Sequence, residues 1–243
     1  MKTYILFNLI FFLLITTHLY PQSLGFSIGY ELLNMNEVNQ DLEDSQDLIS
    51  SAGVIASSPE EVKGGLFLEG NFKYGIGNFN LGITGDYISS SGSFSYNDIS
   101  GSFEENYDVS AIELLGLLEI LIPIENSSFH PFIQLAGGVG FASAEHLGDF
   151  RYYVDPSFNL SVKNTVEGNY FSGRITVGLG FDLQKIILEF ATGYRIADAG
   201  ELKGEHVENG ITFNDMPVRD ISGNAIEFDY SGLFLTAGVS ILF

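Results

Sequence analysis

The sequence contains no cysteine and no tryptophan, and only ten of its 243 residues are Lys or Arg, against 31 Asp or Glu. The lack of cysteine excludes disulfides, thiolate metal sites and attachment of lipid to an amino-terminal cysteine. The formal net charge of −21 lacks the basic excess that binding to nucleic acid requires, and it disfavours an anionic membrane surface as partner. We therefore expect no nucleic-acid partner and interpret most acidic residues as parts of solvated loops.

Long apolar runs are also missing after the amino terminus. The run from Tyr4 to Ile15 follows Lys2 and is shorter than the ~20 residues that a membrane-spanning helix needs. Together with the polar stretch that follows, it predicts a secretory signal peptide over residues 1–23, although the cleavage site has no clean small-residue pattern. The remaining residues, 24–243, are enough for one domain.

The apolar residues of this domain occur in short alternating segments. In segment 233–243 large apolar side chains fall on every second position, and Thr236, Gly238 and Ser240 fall between them. Side chains in a strand alternate between two faces, so this segment has one apolar face and one small or polar face. A strand of this kind is typical of a transmembrane β-barrel.

Eight such segments are predicted as strands. Short turns join the second to the third, the fourth to the fifth and the sixth to the seventh, whereas long polar segments join the others, as periplasmic turns and extracellular loops do. The sequence therefore predicts an all-β, eight-stranded antiparallel up-and-down transmembrane barrel. The predicted strands are 24–34, 65–76, 79–88, 107–122, 129–141, 170–183, 186–196 and 233–243, and the long loops are 35–64, 89–106, 145–168 and 197–227.

Four features carry a resemblance to a known family: the signal peptide, the stretch Phe132 to Phe141 after Pro131, the stretch Gly173 to Phe181, and the terminal Phe243. With them the chain resembles the small bacterial outer-membrane β-barrels, which include OmpA-type transmembrane domains and OmpX- or OmpW-like barrels. The resemblance implies an outer-membrane location, contact with outer-membrane lipid, a monomer, and insertion by the barrel insertion machinery with Phe243 as the signal. It specifies an architecture and no activity.

Charged residues on the predicted inner faces form the main candidate site. Eight strands enclose a space about wide enough for side chains, so we expect these residues to fill the lumen as a network of salt bridges. The alternative is a narrow cation-preferring channel or small-molecule uptake barrel, because carboxylates outnumber basic groups. The predicted network consists of Glu31, Glu69, Lys73, Asp86, Glu113, Glu119, Arg174, Asp182, Glu189 and Arg195.

No catalytic, cofactor or metal site is predicted. Ser143, Glu145 and His146 combine the residue types of a nucleophilic enzyme, but strand geometry sends neighbouring side chains to opposite faces. The acidic loops lack the regular spacing of a calcium loop. A soluble lipocalin-like barrel is a further alternative, although it requires a polar exterior and the chain has no Trp. We therefore expect a non-enzymatic structural or surface-interaction protein whose acidic loops meet an extracellular protein or small molecule.

Overall fold

The computed structural model describes residues 22–54 and 56–243. The predicted signal peptide, 1–23, lies outside them except for Gln22 and Ser23, which begin the first strand, and it stays a prediction. Eight long strands form a ring: β1 (Gln22–Leu33), β2 (Gly64–Ile76), β3 (Phe79–Asn97), β4 (Gly101–Leu121), β5 (Phe129–Tyr152), β6 (Leu160–Leu183), β7 (Ile186–Ile196) and β12 (Gly232–Leu242). The remaining elements are helix α1 (Asn36–Ser51), a 3₁₀ turn (Pro156–Phe158), β8 (Asp198–Glu201), β9 (Lys203–Glu208), β10 (Ile211–Pro217) and β11 (Glu227–Asp229).

The ring is closed by antiparallel pairing at every edge. Strands β1 to β7 pair in sequence order, β7 pairs with β12, and β12 pairs with β1, with Leu24 opposite Ile241. A closed ring leaves no unpaired edge, as a barrel in a membrane requires. The predicted eight-stranded antiparallel barrel is confirmed.

The outer face of the ring is apolar over the height of a membrane. The five outward side chains of β1, from Leu24 to Leu32, are each more than half exposed. On β5 the outward positions run from Phe129 to Phe141, which at ~3.3 Å per residue and a tilt of about 40° gives a band about 30 Å high. This exterior contradicts the polar surface of a lipocalin and defines a transmembrane barrel of the outer-membrane type.

Strands β3 to β6 run well beyond this band. They contain 19, 21, 24 and 24 residues, so the predicted loops 89–106 and 145–168 are largely strand. The outward residues become polar at the level where Ser143 faces Ser110 and Glu167. Above that level the outward residues are polar and buried apolar residues such as Phe94, Ala144 and Val166 lie on the inward face, so the apolar-outside pattern that predicted the strands ends while the backbone ladder continues.

Helix α1 lies within the segment that was predicted as the first loop. Val38 and Leu42 on its inner face, and Met35 directly before it, are fully buried. The Asn39 side chain accepts a hydrogen bond from the backbone N–H of Val62 at 2.7 Å and donates one to the Val62 carbonyl at 3.3 Å. The helix is therefore packed over the extracellular end of the barrel.

The last predicted loop, 197–227, also contains regular structure. Strands β9 and β10 form a hairpin whose turn, Asn209 and Gly210, has φ values of 48° and 81°, the left-handed conformation that such turns need. Strand β9 pairs with the upper part of β6, from Val162 to Glu167. The hairpin thus extends the barrel wall outward above the end of β7.

Among residues 22–54 and 56–243, no helix has the length and apolar character needed to cross a membrane.

Candidate functional site

The lower half of the lumen contains an ion-pair group around Lys73. Its ammonium lies 2.7 Å from Glu119 and 3.1 Å from Glu189, and Asn80 donates a further hydrogen bond to Glu119 at 2.6 Å. Lys73 and Glu119 are each 2% exposed. Strands β2, β4 and β7 are therefore joined through the interior at this level.

The upper half contains two arginines that share Asp86. Arg174 lies 2.8 Å from Asp86 and 2.7 Å from Glu69. Arg195 lies 3.3 Å from Asp86 and 3.1 Å from Glu113, and it also pairs with Glu31. Every carboxylate in this group faces a guanidinium, which is the condition under which buried charges persist.

Gln134 links the two groups, because it donates to Glu119 at 3.4 Å and accepts from Arg174 at 3.2 Å. The guanidiniums of both arginines lie 4.9–5.9 Å from the ring centres of Phe67 and Phe234. Arg195 is fully buried, so side chains fill the lumen at this level.

The structure brings nine of the ten predicted lumen residues into these two groups. Asp182 stands apart: it lies 3.3 Å from His130 near the periplasmic end and its side chain is 47% exposed. Phe243 is 68% exposed at the end of the chain, and its role as an insertion signal stays a prediction.

A cavity of about 720 Å³ lies at the extracellular end, between helix α1, the extensions of β4 to β6 and the β9–β10 hairpin. We call it the outer cavity. Its walls are mainly apolar, and its lining includes a small set of polar groups. The apolar lining residues include Leu48, Ile49, Phe103, Phe150, Leu160, Val162, Met216, Pro217 and Ile221. The polar lining residues are Ser45, Ser51, Arg219 and Asp220 together with a group that consists of Asp41, Glu105, His146, Asn164 and His206, which we call the polar group.

The polar group is organised by hydrogen bonds. Nε2 of His146 lies 3.0 Å from Oε1 of Glu105, and Nδ1 of His146 lies 2.9 Å from the side-chain amide of Asn164. Asn164 in turn faces Nδ1 of His206 at 2.6 Å. The ring of His146 also stacks on Tyr107, with the centres 4.3 Å apart, so its orientation is fixed on three sides.

Asp41 reaches this group from the helix. Tyr107 donates a 2.5 Å hydrogen bond to its Oδ2, and the backbone N–H of Ile221 lies near the carboxylate. Its Oδ1 is buried and makes no hydrogen bond of ordinary geometry with the described residues. Burial raises the pKa of the Asp41 carboxyl to about 6, and the nearby Glu105 carboxylate acts in the same direction. A second carboxylate oxygen, Oε2 of Glu105, is likewise buried without a partner in the described chain.

This arrangement is not predicted by the sequence pattern. Asp41 lies in the first of the acidic loops that are predicted to be solvated, yet it is 2% exposed. His146 was considered only with Ser143 and Glu145, and the structure separates them: Glu145 pairs with Lys163 at 2.9 Å, while His146 faces the interior. The helical spacing of Val38, Leu42 and Ile49 is the signal that reveals α1 and hence the burial of Asp41.

The chain was also compared with known proteins. No protein-family model and no curated protein matches it. Solved structures similar to it include a major outer membrane protein of Thermus thermophilus (11% identity, 93% of this chain and 100% of that one, TM-score 0.46). Others are the outer membrane protein OprG of Pseudomonas aeruginosa (12%, 92% and 95%, TM-score 0.40) and Neisserial surface protein A (10%, 92% and 97%, TM-score 0.39).

At these identities the likeness concerns the fold alone. The closed register and the apolar exterior of this chain carry the assignment to small outer-membrane-type β-barrels. The barrel class predicted from the sequence is confirmed by this register and exterior, and the predicted outer-membrane location agrees with it.

Proposed function

We propose that this chain is a non-enzymatic surface-binding protein of the bacterial outer membrane, which binds a small, mainly apolar molecule in the outer cavity. The barrel anchors this cavity in the membrane and holds it open to the extracellular side. The observation that carries the proposal is the combination of a cavity of about 720 Å³ and predominantly apolar walls. Small-molecule sites are typically concave, apolar and ~300–1,000 Å³ in volume, with few polar groups.

The lumen supports this proposal over the alternative of a channel. The ion pairs of Arg174, Arg195 and Lys73 occupy the interior below the outer cavity. A molecule bound in the outer cavity therefore has side chains below it and no open path through the barrel. The polar groups beside the apolar walls favour a ligand with an apolar body and one hydrogen-bonding end.

Gly148 offers a direct test, because it lines the outer cavity and a Cβ built there has no neighbour nearer than 4.0 Å. We expect Gly148→Phe to fill the cavity without disturbing β5. The full chain, refolded into lipid nanodiscs, is titrated with indole as a soluble aromatic probe and followed by saturation-transfer NMR. The expected result is a saturable signal in the parent chain and at least a tenfold weaker affinity in Gly148→Phe.

The matched control is Gly70→Phe, since Gly70 faces outward on β2 and a Cβ there has no neighbour within 4 Å. It adds the same ring to the lipid-facing surface and should leave the cavity signal unchanged. Equal signals from both variants and the parent chain would show that indole partitions into lipid, and would overturn the proposal.

A further inference from the structure

Three ligand-bearing side chains meet beside the apolar walls of the outer cavity. Asp41 comes from helix α1, Glu105 from β4 and His146 from β5, and one ligand atom of each lies within 4.8 Å of the others. All three are buried, with 2%, 5% and 6% of their surface exposed. We propose that they bind one divalent first-row transition-metal ion, with Zn²⁺ as the representative species.

The unpartnered carboxylate oxygens are an independent observation that points to a cation. Oδ1 of Asp41 and Oε2 of Glu105 are both buried without a hydrogen-bond partner in the described part of the chain. A buried carboxylate oxygen is costly unless it is paired or coordinates a metal. Among residues 22–54 and 56–243 Asp41 makes no ion pair, and the ion-pair partner of Glu105 is His146 at 3.0 Å. A metal ion between the two carboxylates satisfies both orphaned oxygens.

The surroundings of His146 are those of a metal ligand. Its Nε2 faces the carboxylates, and its Nδ1 faces Asn164. A metal on Nε2 requires the proton on Nδ1, where the amide oxygen of Asn164 accepts it if the amide is turned over. The amide nitrogen then donates to His206, so the chain of hydrogen bonds is satisfied in both orientations.

The donor set indicates which ions fit. One imidazole and two carboxylates suit Zn²⁺, Mn²⁺ or Fe²⁺, whereas Ca²⁺ prefers six to eight oxygen ligands. Zn²⁺ is held at about 2.0–2.2 Å from nitrogen and oxygen ligands, so ligand atoms on one tetrahedral ion lie about 3.4 Å apart. The three ligand atoms, which lie within 4.8 Å of one another, therefore need to close in by up to about 1.4 Å. Because all three line the outer cavity, the remaining coordination positions face it and are open to water or a further ligand.

The test measures metal binding alone, so it is independent of any apolar ligand. The full chain is refolded into nanodiscs, stripped with a chelator and titrated calorimetrically with Zn²⁺, Ca²⁺ and Mg²⁺. We expect one Zn²⁺ per chain, bound at least tenfold more tightly than Ca²⁺ or Mg²⁺. Co²⁺ in place of Zn²⁺ should give visible ligand-field absorption that is stronger than that of hydrated Co²⁺ held by acidic loops.

Matched variants separate this site from the general acidity of the loops. Glu105→Gln and His146→Gln should each weaken Zn²⁺ binding by at least thirtyfold. Glu104→Gln removes the adjacent, exposed carboxylate and should leave affinity unchanged. Strand content by circular dichroism and resistance to trypsin establish that each variant is folded. The proposal would be overturned if Zn²⁺ bound weakly at several sites and equally well to the parent chain and to Glu105→Gln. It would also be overturned if the parent chain bound no stoichiometric Zn²⁺.

Discussion

The phenol of Tyr107 on β4 donates a 2.5 Å hydrogen bond to the carboxylate of Asp41 on helix α1. This contact joins the helix to the barrel wall across 66 positions of sequence and sets the carboxylate beside the imidazole of His146. The position of α1 over the outer cavity therefore depends on a buried phenol.

Tyr107→Phe should loosen helix α1 while leaving the barrel intact. The substitution keeps the stacked ring and removes the donor to a buried carboxylate, a loss of about 1–3 kcal/mol. Since each ~1.4 kcal/mol is a factor of ten, amide hydrogen exchange in α1 should accelerate by about five- to 140-fold. Tyr153→Phe is the control, because that phenol is exposed and its hydrogen bond to Asn97 is 3.3 Å long. Unchanged exchange in α1 would contradict this role for Tyr107.

Arg195→Ala should destabilise the barrel severely. The change leaves Glu31, Asp86 and Glu113 buried with less compensating charge, and breaking such a pair costs about 3–5 kcal/mol. The free energy of unfolding is measured by urea titration of the refolded chain in detergent micelles. Arg151→Ala removes an exposed arginine paired with Asp149 and should cost less than about 1 kcal/mol. Equal losses in the two variants would refute the stabilising role of the lumen network.

Because side chains fill the lumen, we expect the barrel to conduct no ions. The parent chain, shown by protease protection to be inserted in a planar bilayer, should give no discrete conductance steps. The buried ion pairs at Lys73 and Arg195 occupy the lumen at two levels, where they obstruct an aqueous path. Cation-selective steps that change in Glu113→Gln or Glu119→Gln would instead establish the channel alternative.

Asp98, in the turn between β3 and β4, should titrate well below other loop carboxylates. Its Oδ1 accepts from the hydroxyl and the backbone N–H of Ser100 and from the backbone N–H of Gly101, and these bonds lower its pKa to about 2. The ionised form is favoured in the folded turn, so this stabilisation is complete above the ordinary pKa of 3.8 and is lost as the pH falls through about 2. Carboxyl NMR chemical shifts measure the titration directly. A midpoint near 3.8 would mean that these hydrogen bonds do not persist in solution.

The strands of the membrane band were predictable because lipid imposes a pattern on them. Strands β1, β2 and β7 begin and end within about two residues of their predicted limits, since outward positions must be apolar there whereas most inward ones are small, polar or charged. Gly140 illustrates the inner constraint: a Cβ at this position would lie 2.2 Å from the ring of Tyr170.

The extracellular half was not predictable by the same rule. Between Ser89 and Ser93 the sequence is entirely serine and glycine, yet β3 continues through it because its ladder with β4 uses backbone groups alone. The outer cavity could not be predicted from the sequence for a different reason. Asp41, Glu105 and His146 are far apart in sequence, and their meeting depends on a helix that lies in a mostly polar segment.

Strand β6 has two different neighbours, β7 along its lower part and β9 along its upper part. One wall of the outer cavity is thus a covalent and hydrogen-bonded continuation of the membrane barrel, whereas the opposite wall, α1, is attached through side chains such as Asn39 and Asp41. The two walls differ in what it takes to move them: displacing the hairpin means breaking a ladder, while displacing the helix means exposing Val38 and Leu42 and breaking separate side-chain hydrogen bonds. We therefore expect a ligand to enter the cavity from the side of helix α1, while the hairpin on the other side stays in place.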